Sequence, residues 1–312
     1  MDNPANSGLS QDDLRRYELK LFSRREYFAQ TGMPLYVSRW AAVKRMAIHT
    51  HDFTELVLVL AGTAEHVTPD GRFPLTAGDV FVIAKGHRHG YDQVRGLVAV
   101  NCCFDFDQLG LGRFDLKQLP GYVALFALEP RMRRRHEFRG RLRLTSRQLD
   151  TVTPLVLQLE RELQTKPPGY RCLGQGLFLQ FIAFICRCYG KATRPESRLL
   201  NQLGRVVSHL EANYQRPVTV ADLVRQANMS ERNLLRAFHE CLDTSPIAYL
   251  IRHRVLRGAE LLTETDQRIS EVAAAVGFSD SGYFCRQFHR WMGTSPREYR
   301  RRAQAARPAA DL

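Results

Sequence analysis

Four residues in the first third of the chain could do chemistry together. His49, His51 and Glu55 stand in the spacing HxHxxxE, and His89 follows, two residues before Tyr91. On a strand, residues two apart share a face, so His49 and His51 point the same way. Three imidazoles and one carboxylate suit Fe, Mn, Ni or Zn. The same groups, with Phe53 or Phe81 for apolar packing, equally suit a pocket that hydrogen-bonds a sugar-type ligand. A purely structural role is the third reading, and spacing alone does not separate the three.

A second set of residues is defined by repetition. Leu234, Arg236, Phe238, His239, Thr244, Ser245, Pro246 and Tyr249 recur 50 positions later as Phe284, Arg286, Phe288, His289, Thr294, Ser295, Pro296 and Tyr299. Upstream the register is 49, where Leu223, Asn228 and Ser230 answer to Val272, Gly277 and Ser279. In each copy a helical run ends at a residue tolerant of positive φ, Asn228 or Gly277. A polar helix start follows, Ser230 or Ser279-Asp280. Helix, tight turn, helix is the helix-turn-helix plan.

The elements that must position these groups are legible in outline. From Met33 to about Phe106, short apolar runs are broken by turn signals at Pro69-Asp70-Gly71 and at 76–79, which implies a β-sandwich or small barrel. After a basic stretch, Thr145-x-x-Gln148 opens a helix as a capping box. Leu149, Val152, Val156, Leu159 and Leu163 give that helix an a/d seam, and a second, largely apolar helix follows over roughly 170–189. Residues 191–198 read as a polar linker broken by Pro195. Between the repeat copies, Ser245 caps and Pro246 opens a helix with the stripe Ile247, Leu250, Ile251, Val255, Ala259 and Leu262. About 16–18 residues make a rod of about 25 Å, which can hold two units about one DNA turn, roughly 34 Å, apart.

Composition bounds these readings. The 312 residues are enough for two cores. A net charge of +13 suits a polyanion, but from Glu196 onward 17 arginines face 13 acids and the larger excess lies at 131–147, so charge alone does not point to DNA. No run reaches the roughly 18–20 apolar residues of a membrane span, and the first residues lack a signal-peptide core. The seven cysteines are scattered with no CxxC pair. That excludes a zinc or disulfide framework and reads as the reduced thiols of a cytosolic protein.

The repeat, with Gly277-Phe278, Phe284, Phe288 and Gly293-Thr-Ser-Pro296 in its second copy, resembles the AraC/XylS-type DNA-binding domain. The runs HTHDFTELVLV and GDVFVIAKGHRHGY resemble the two cupin motifs. They depart from the pattern at Val43 for glycine, Ala84 for proline and Gln93 for asparagine. A cupin-like domain ahead of such a helical pair is similar to the rhamnose-operon regulators of that family. The resemblance implies recognition helices at 230–241 and 280–292. Its groove-facing positions are Arg232, Leu235 and Arg236, then Ser281, Gly282, Tyr283, Cys285 and Arg286, of which Arg232 and Arg286 suit bidentate contact with guanine, against the plainer role of touching phosphate. It implies an effector, a sugar such as rhamnose, at His49, His51, Glu55, His89 and Tyr91. In cupins the set His49, His51, Glu55 and His89 would hold a divalent metal, although no cofactor is required here. Promoter DNA, RNA polymerase and a second copy of the chain are the implied partners, with no membrane.

The expected organisation is therefore α+β in two domains. A leader spans 1–32 with a short helix at 12–21, and a cupin-like β-barrel spans 33–144. A helical pair for dimerisation spans 145–190, a linker 191–198, an all-α domain with two helix-turn-helix units 199–302, and a disordered tail 303–312. The competing expectation is a metal-dependent cupin dioxygenase or isomerase fused to a helical domain. A methyl-accepting DNA-repair protein would need an N-terminal cysteine cluster that this sequence lacks.

Overall fold

Two long strands set the shape of the first unit. The computed structural model describes residues 20–42, 44–133, 141–191 and 195–305, and the chain divides into units 1–204 and 205–312. One eight-stranded sheet holds β1 (Lys20–Phe22), β2 (Leu35–Ala42), β3 (Met46–His51), β4 (Thr54–Thr68), β5 (Gly71–Thr76), β6 (Asp79–Ile83), β7 (His89–Phe104) and β8 (Leu142–Arg143). β4 and β7 pair antiparallel from Thr54 opposite Phe104 to Val67 opposite Gly90. On its other side β4 carries β6 along its first half and β5 along its second. β7 likewise carries β3 at its start and β2 at its end. The long pair thus belongs to two layers and has to bend between them. Register shifts between Val59 and Glu65 mark the bend, and a Cβ at Gly62 would collide with the Gly96 carbonyl there.

The period of two assigns the faces. Val57, Val59, Phe81, Ile83, Tyr91, Leu97 and Ala99 form the inner core. Leu56, Leu58, Val80, Val100, Cys102 and Phe104 face the other way and are buried as well, which a sheet allows only when helices cover it. Two helices do so, α2 (Ser146–Thr165) and α3 (Tyr170–Gly190), with Phe178 edge-on to Phe104 at 4.9 Å. The seam Val152, Val156, Leu159 and Leu163 is buried within this unit and Leu149 is half-buried, so the coiled-coil pattern serves the chain's own core. α3 is long and apolar enough to match a membrane span, and half of that stretch is buried in this unit.

Several expected boundaries move. Within the expected leader, β1 pairs with β3 and α1 (Arg24–Thr31) is capped by Ser23. Of the short helix expected at 12–21, residues 12–19 lie outside the described residues, while Lys20 and Leu21 are extended. A helix, α4 (Pro195–Ala212), begins inside the expected linker, of which 192–194 lie outside the described residues. Asn201 Nδ2 donates to the Tyr189 carbonyl at 2.7 Å, which holds the start of α4 in the first unit. Part of the basic run, 134–140, lies outside the described residues. Arg143, within the same run, is exposed but anchored, its Nε donating to buried Asp79 at 2.8 Å. The expected disordered tail is helical to Ala305, and 306–312 lie outside the described residues.

The second unit continues with α5 (Val220–Ala227), α6 (Glu231–Leu242), α7 (Pro246–Glu264), α8 (Ile269–Ala275), α9 (Ser281–Met292) and α10 (Pro296–Ala305). The turns are left-handed as expected, with φ of 51° at Asn228 and 91° at Gly277. Ser230 accepts from Asn233 N at 3.3 Å and Asp280 from Tyr283 N at 2.5 Å. The second cap is therefore Asp280 rather than Ser279, and the extra residue of the second copy lies in its turn. α7 has 19 residues, about 28 Å of rod.

A Cβ at Gly277 would sit 2.7 Å from the Tyr214 carbonyl oxygen, on top of its left-handed strain. Gly277→Ala should therefore cost at least about 2 kcal/mol. Asn228→Gly, at a position that glycine adopts freely, should change stability by less than about 1 kcal/mol. Urea unfolding of the full chain checks both.

Candidate functional site

Glu55 begins the inward face of β4, two residues ahead of Val57, and register puts Asn101 opposite Val57 on the neighbouring strand. A carboxylate among such residues needs partners. Its Oε2 lies 3.3 Å from His51 Nε2 and 3.3 Å from His89 Nε2, and all three side chains are buried. Its Oε1 accepts from Asn101 Nδ2, and Asn101 Oδ1 accepts from Trp40 Nε1 at 2.8 Å. His51 Nδ1 meets the Phe53 carbonyl at 2.8 Å and its ring stacks on Phe53 at 4.5 Å. A proton on Nδ1 faces that carbonyl, and Nε2 is the ring atom turned toward Glu55. Burial alone would raise the Glu55 carboxyl, but the two imidazoles prevail and hold it well below the usual carboxylate range. His49, with Nδ1 3.0 Å from the Ala47 carbonyl and its ring 4.1 Å from His89, is pulled down to about 4 by burial and by His89.

These groups border a cavity of about 450 Å³. His49, His51, Phe53 and Glu55 line it with Ser38, Asn101 and the rings of Phe22, Tyr27 and Trp40. Burial raises the Tyr27 phenol to about 12. Two expected pocket residues are placed elsewhere. Tyr91 belongs to the packed core, its ring 5.3 Å from Trp40, and His89 reaches Glu55 from behind the cavity wall. Phe81 is core as well. Trp40 and Asn101 were not anticipated. Asn101 had left a signal as the one polar residue in the run LVAVNCCF.

In the second unit each repeated helix keeps one face dry and one bare. α6 buries Leu234, Ala237, Phe238 and Cys241, while Arg232, Leu235 and Arg236 are exposed. α9 buries Phe284 and Phe288 and exposes Ser281, Gly282, Tyr283 and Arg286. Cys285 is only half-exposed because it turns toward the core around Phe284. The Arg286 guanidinium lies 5.7 Å over the Tyr283 ring and 4.0 Å from Asp280. His239 and His289 are exposed, and their carbonyls accept the helix-ending bonds from Asp243 and Gly293. Arg254 is a structural residue that the sequence did not reveal, donating to the carbonyls of Tyr214 at 2.6 Å and Arg216 at 2.8 Å.

Comparison with known proteins bears on both sites. A family profile described as a helix-turn-helix domain matches residues 223–302, and one described as an AraC-like ligand binding domain matches 36–182. The chain is 30% identical over 285 residues to the HTH-type transcriptional activator RhaR of Yersinia pestis bv. Antiqua (strain Angola), covering 90% of this chain and 94% of that protein. To the protein of the same name from Enterobacter sp. (strain 638) it is 28% identical over 289 residues, covering 92% and 98%. A solved AraC-type regulator from Chromobacterium violaceum is 33% identical, covering 35% of this chain and 95% of that one, with a TM-score of 0.32.

Asn101→Ala would leave Glu55 Oε1 and Trp40 Nε1 without their shared partner. A fully buried unsatisfied group costs about 1–3 kcal/mol; because Trp40 and Asn101 are part-buried beside the cavity, the first unit should lose about 1–2 kcal/mol in denaturant unfolding.

Proposed function

The chain belongs to the AraC family of helix-turn-helix transcription regulators, and from that premise we propose that it activates transcription at promoter DNA in response to a sugar held in the first unit. The observation that carries this reading is the duplicated division of α6 and α9 into a buried and a bare face, with arginines on each bare face. The two helices enter successive major grooves, and α7 keeps them on one side of the duplex. Arg232 and Arg286 read bases, with Leu235, Arg236, Ser281, Tyr283 and Cys285 beside them. The effector is a monosaccharide of the size of rhamnose. Aromatic rings around Ser38 and Asn101 suit a molecule with one apolar and one hydroxylated side, and about 450 Å³ falls within the range of small-molecule pockets. His49, His51 and Glu55 serve it from the floor. The protein works in the cytoplasm as a homodimer, contacts RNA polymerase and is a regulator, not an enzyme. Pairing uses the outward side of the α2–α3 hairpin, where Leu173 is exposed.

Binding to a duplex selected from a random library, compared with an unselected duplex, tests the reading of DNA. Arg232→Ala and Arg286→Ala should each lose about 1–3 kcal/mol on the selected site and little on the other. Arg301→Ala should weaken both alike, with a shallower salt dependence. Equal losses on both duplexes for Arg232→Ala would remove it as a base reader. For the effector, a sugar panel read by thermal unfolding should contain one member that stabilises the chain by about 2.7 kcal/mol at a hundredfold excess over its Kd. A flat panel refutes the sugar.

A further inference from the structure

The geometry points to a divalent transition-metal site made by three side chains, His51, Glu55 and His89, and not by the four of the cupin pattern. His51 Nε2, His89 Nε2 and Glu55 Oε2 are buried and, among the described residues, have no hydrogen-bond partner beyond one another. The three ligand atoms lie within 4.8 Å of one another. Nitrogen and oxygen ligands that each sit about 2.0–2.2 Å from one ion are about 3.0–3.5 Å apart. Both Nε2–Oε2 separations are 3.3 Å.

The groups behind these atoms are those a metal site needs. The Phe53 carbonyl accepts from His51 Nδ1–H, which turns Nε2 to the side where an ion would sit. Asn101 occupies Glu55 Oε1 and is itself held by Trp40, which leaves Oε2 to face the imidazoles. Such outer contacts fix the tautomer and orientation of metal ligands. Two imidazoles and one carboxylate with further positions open are a donor set for Fe, Mn, Ni or Zn. His49 stands outside the set because its ligand atoms do not fall in this cluster and its ring lies edge-on to His89. Because His51 and Glu55 also line the cavity, the open positions of an ion here face its contents. Resting on the effector reading above, a pair of neighbouring sugar hydroxyls would complete the coordination.

The test uses the full chain, stripped with a chelator, dialysed and titrated with Co²⁺. One equivalent per chain should bind with visible d–d absorption. Glu55→Gln and His89→Gln should weaken that binding at least about 100-fold, and Asn101→Ala about 10-fold, whereas His49→Gln should leave it within about twofold. X-ray absorption of the cobalt-loaded wild type should show two imidazoles, a readout that does not depend on any variant folding. Binding that Glu55→Gln leaves intact, a wild type that takes up no cobalt, or an equal loss in His49→Gln would each overturn the three-residue site. Sugar binding is measured separately on stripped and loaded protein. If no sugar binds either form while cobalt still does, the effector reading fails and the ion site stands. Sugar binding that loading does not strengthen would overturn the coordination of the effector.

Discussion

One helix belongs to two cores, and that sharing fixes the second unit. At its start α7 places Tyr249 beside Phe238 of the first recognition helix, with ring centroids 6.1 Å apart, while the Tyr249 hydroxyl donates to Glu211 at 2.6 Å. From Val255 onward the same helix forms a cluster with Val272, Phe284 and Phe288 of the second copy. A Cβ at Gly258 would lie 2.9 Å from the Phe284 ring, so rod and recognition helix meet closer there than any side chain allows. An uninterrupted α-helix has no hinge, and both ends are packed. The spacing of the bare faces is therefore set before any duplex arrives, and the ordering cost of binding is already met by folding.

The first unit shows the opposite economy. Its sheet is apolar on both faces, yet it buries a carboxylate between two imidazoles at the start of its longest inner pair. Replacing a buried charged set by well-packed apolar residues is often neutral or stabilising. Stability therefore does not account for Glu55, His51, His89 and the Asn101–Trp40 chain behind them. On the proposed reading they are held in place for an effector that enters the cavity beside them.

The helical half was legible because the sequence makes the same contacts twice. Phe238 and Tyr249 repeat as Phe288 and Tyr299, whose rings are 5.4 Å apart, and Ser245 and Ser295 cap alike at 3.2 Å. The polar start Ser279-Asp280 held two capping residues, and propensity did not choose between them because serine and aspartate cap equally well. In the sheet, period two gave the right face for His49, His51 and Glu55. It could not separate the end of that face that opens on a cavity from the end that is filled, which is why Tyr91 and Phe81 were misplaced. Trp40 depends on strand register, which a single sequence does not display. Similarly, the seam in α2 announced a buried stripe without saying what buries it, and Pro195, read as a break, sits at the start of a helix where proline is tolerated.

Charge was the least informative signal, and the structure says why. Arginines in the second unit divide into two kinds that composition cannot tell apart. Arg254 and Arg300 are turned inward as clamps, the latter donating to the Gln267 carbonyl at 2.6 Å, and burial pulls Arg254 down from its ordinary value. Arg232, Arg236 and Arg286 stand on bare helix faces. A guanidinium spent on backbone carbonyls contributes rigidity and little outward reach, whereas an exposed one at the start of a helix can meet a base edge. The modest surplus of arginine over acid is then no argument against DNA. Affinity for a polyanion depends on how many cations face it, and specificity on where they stand.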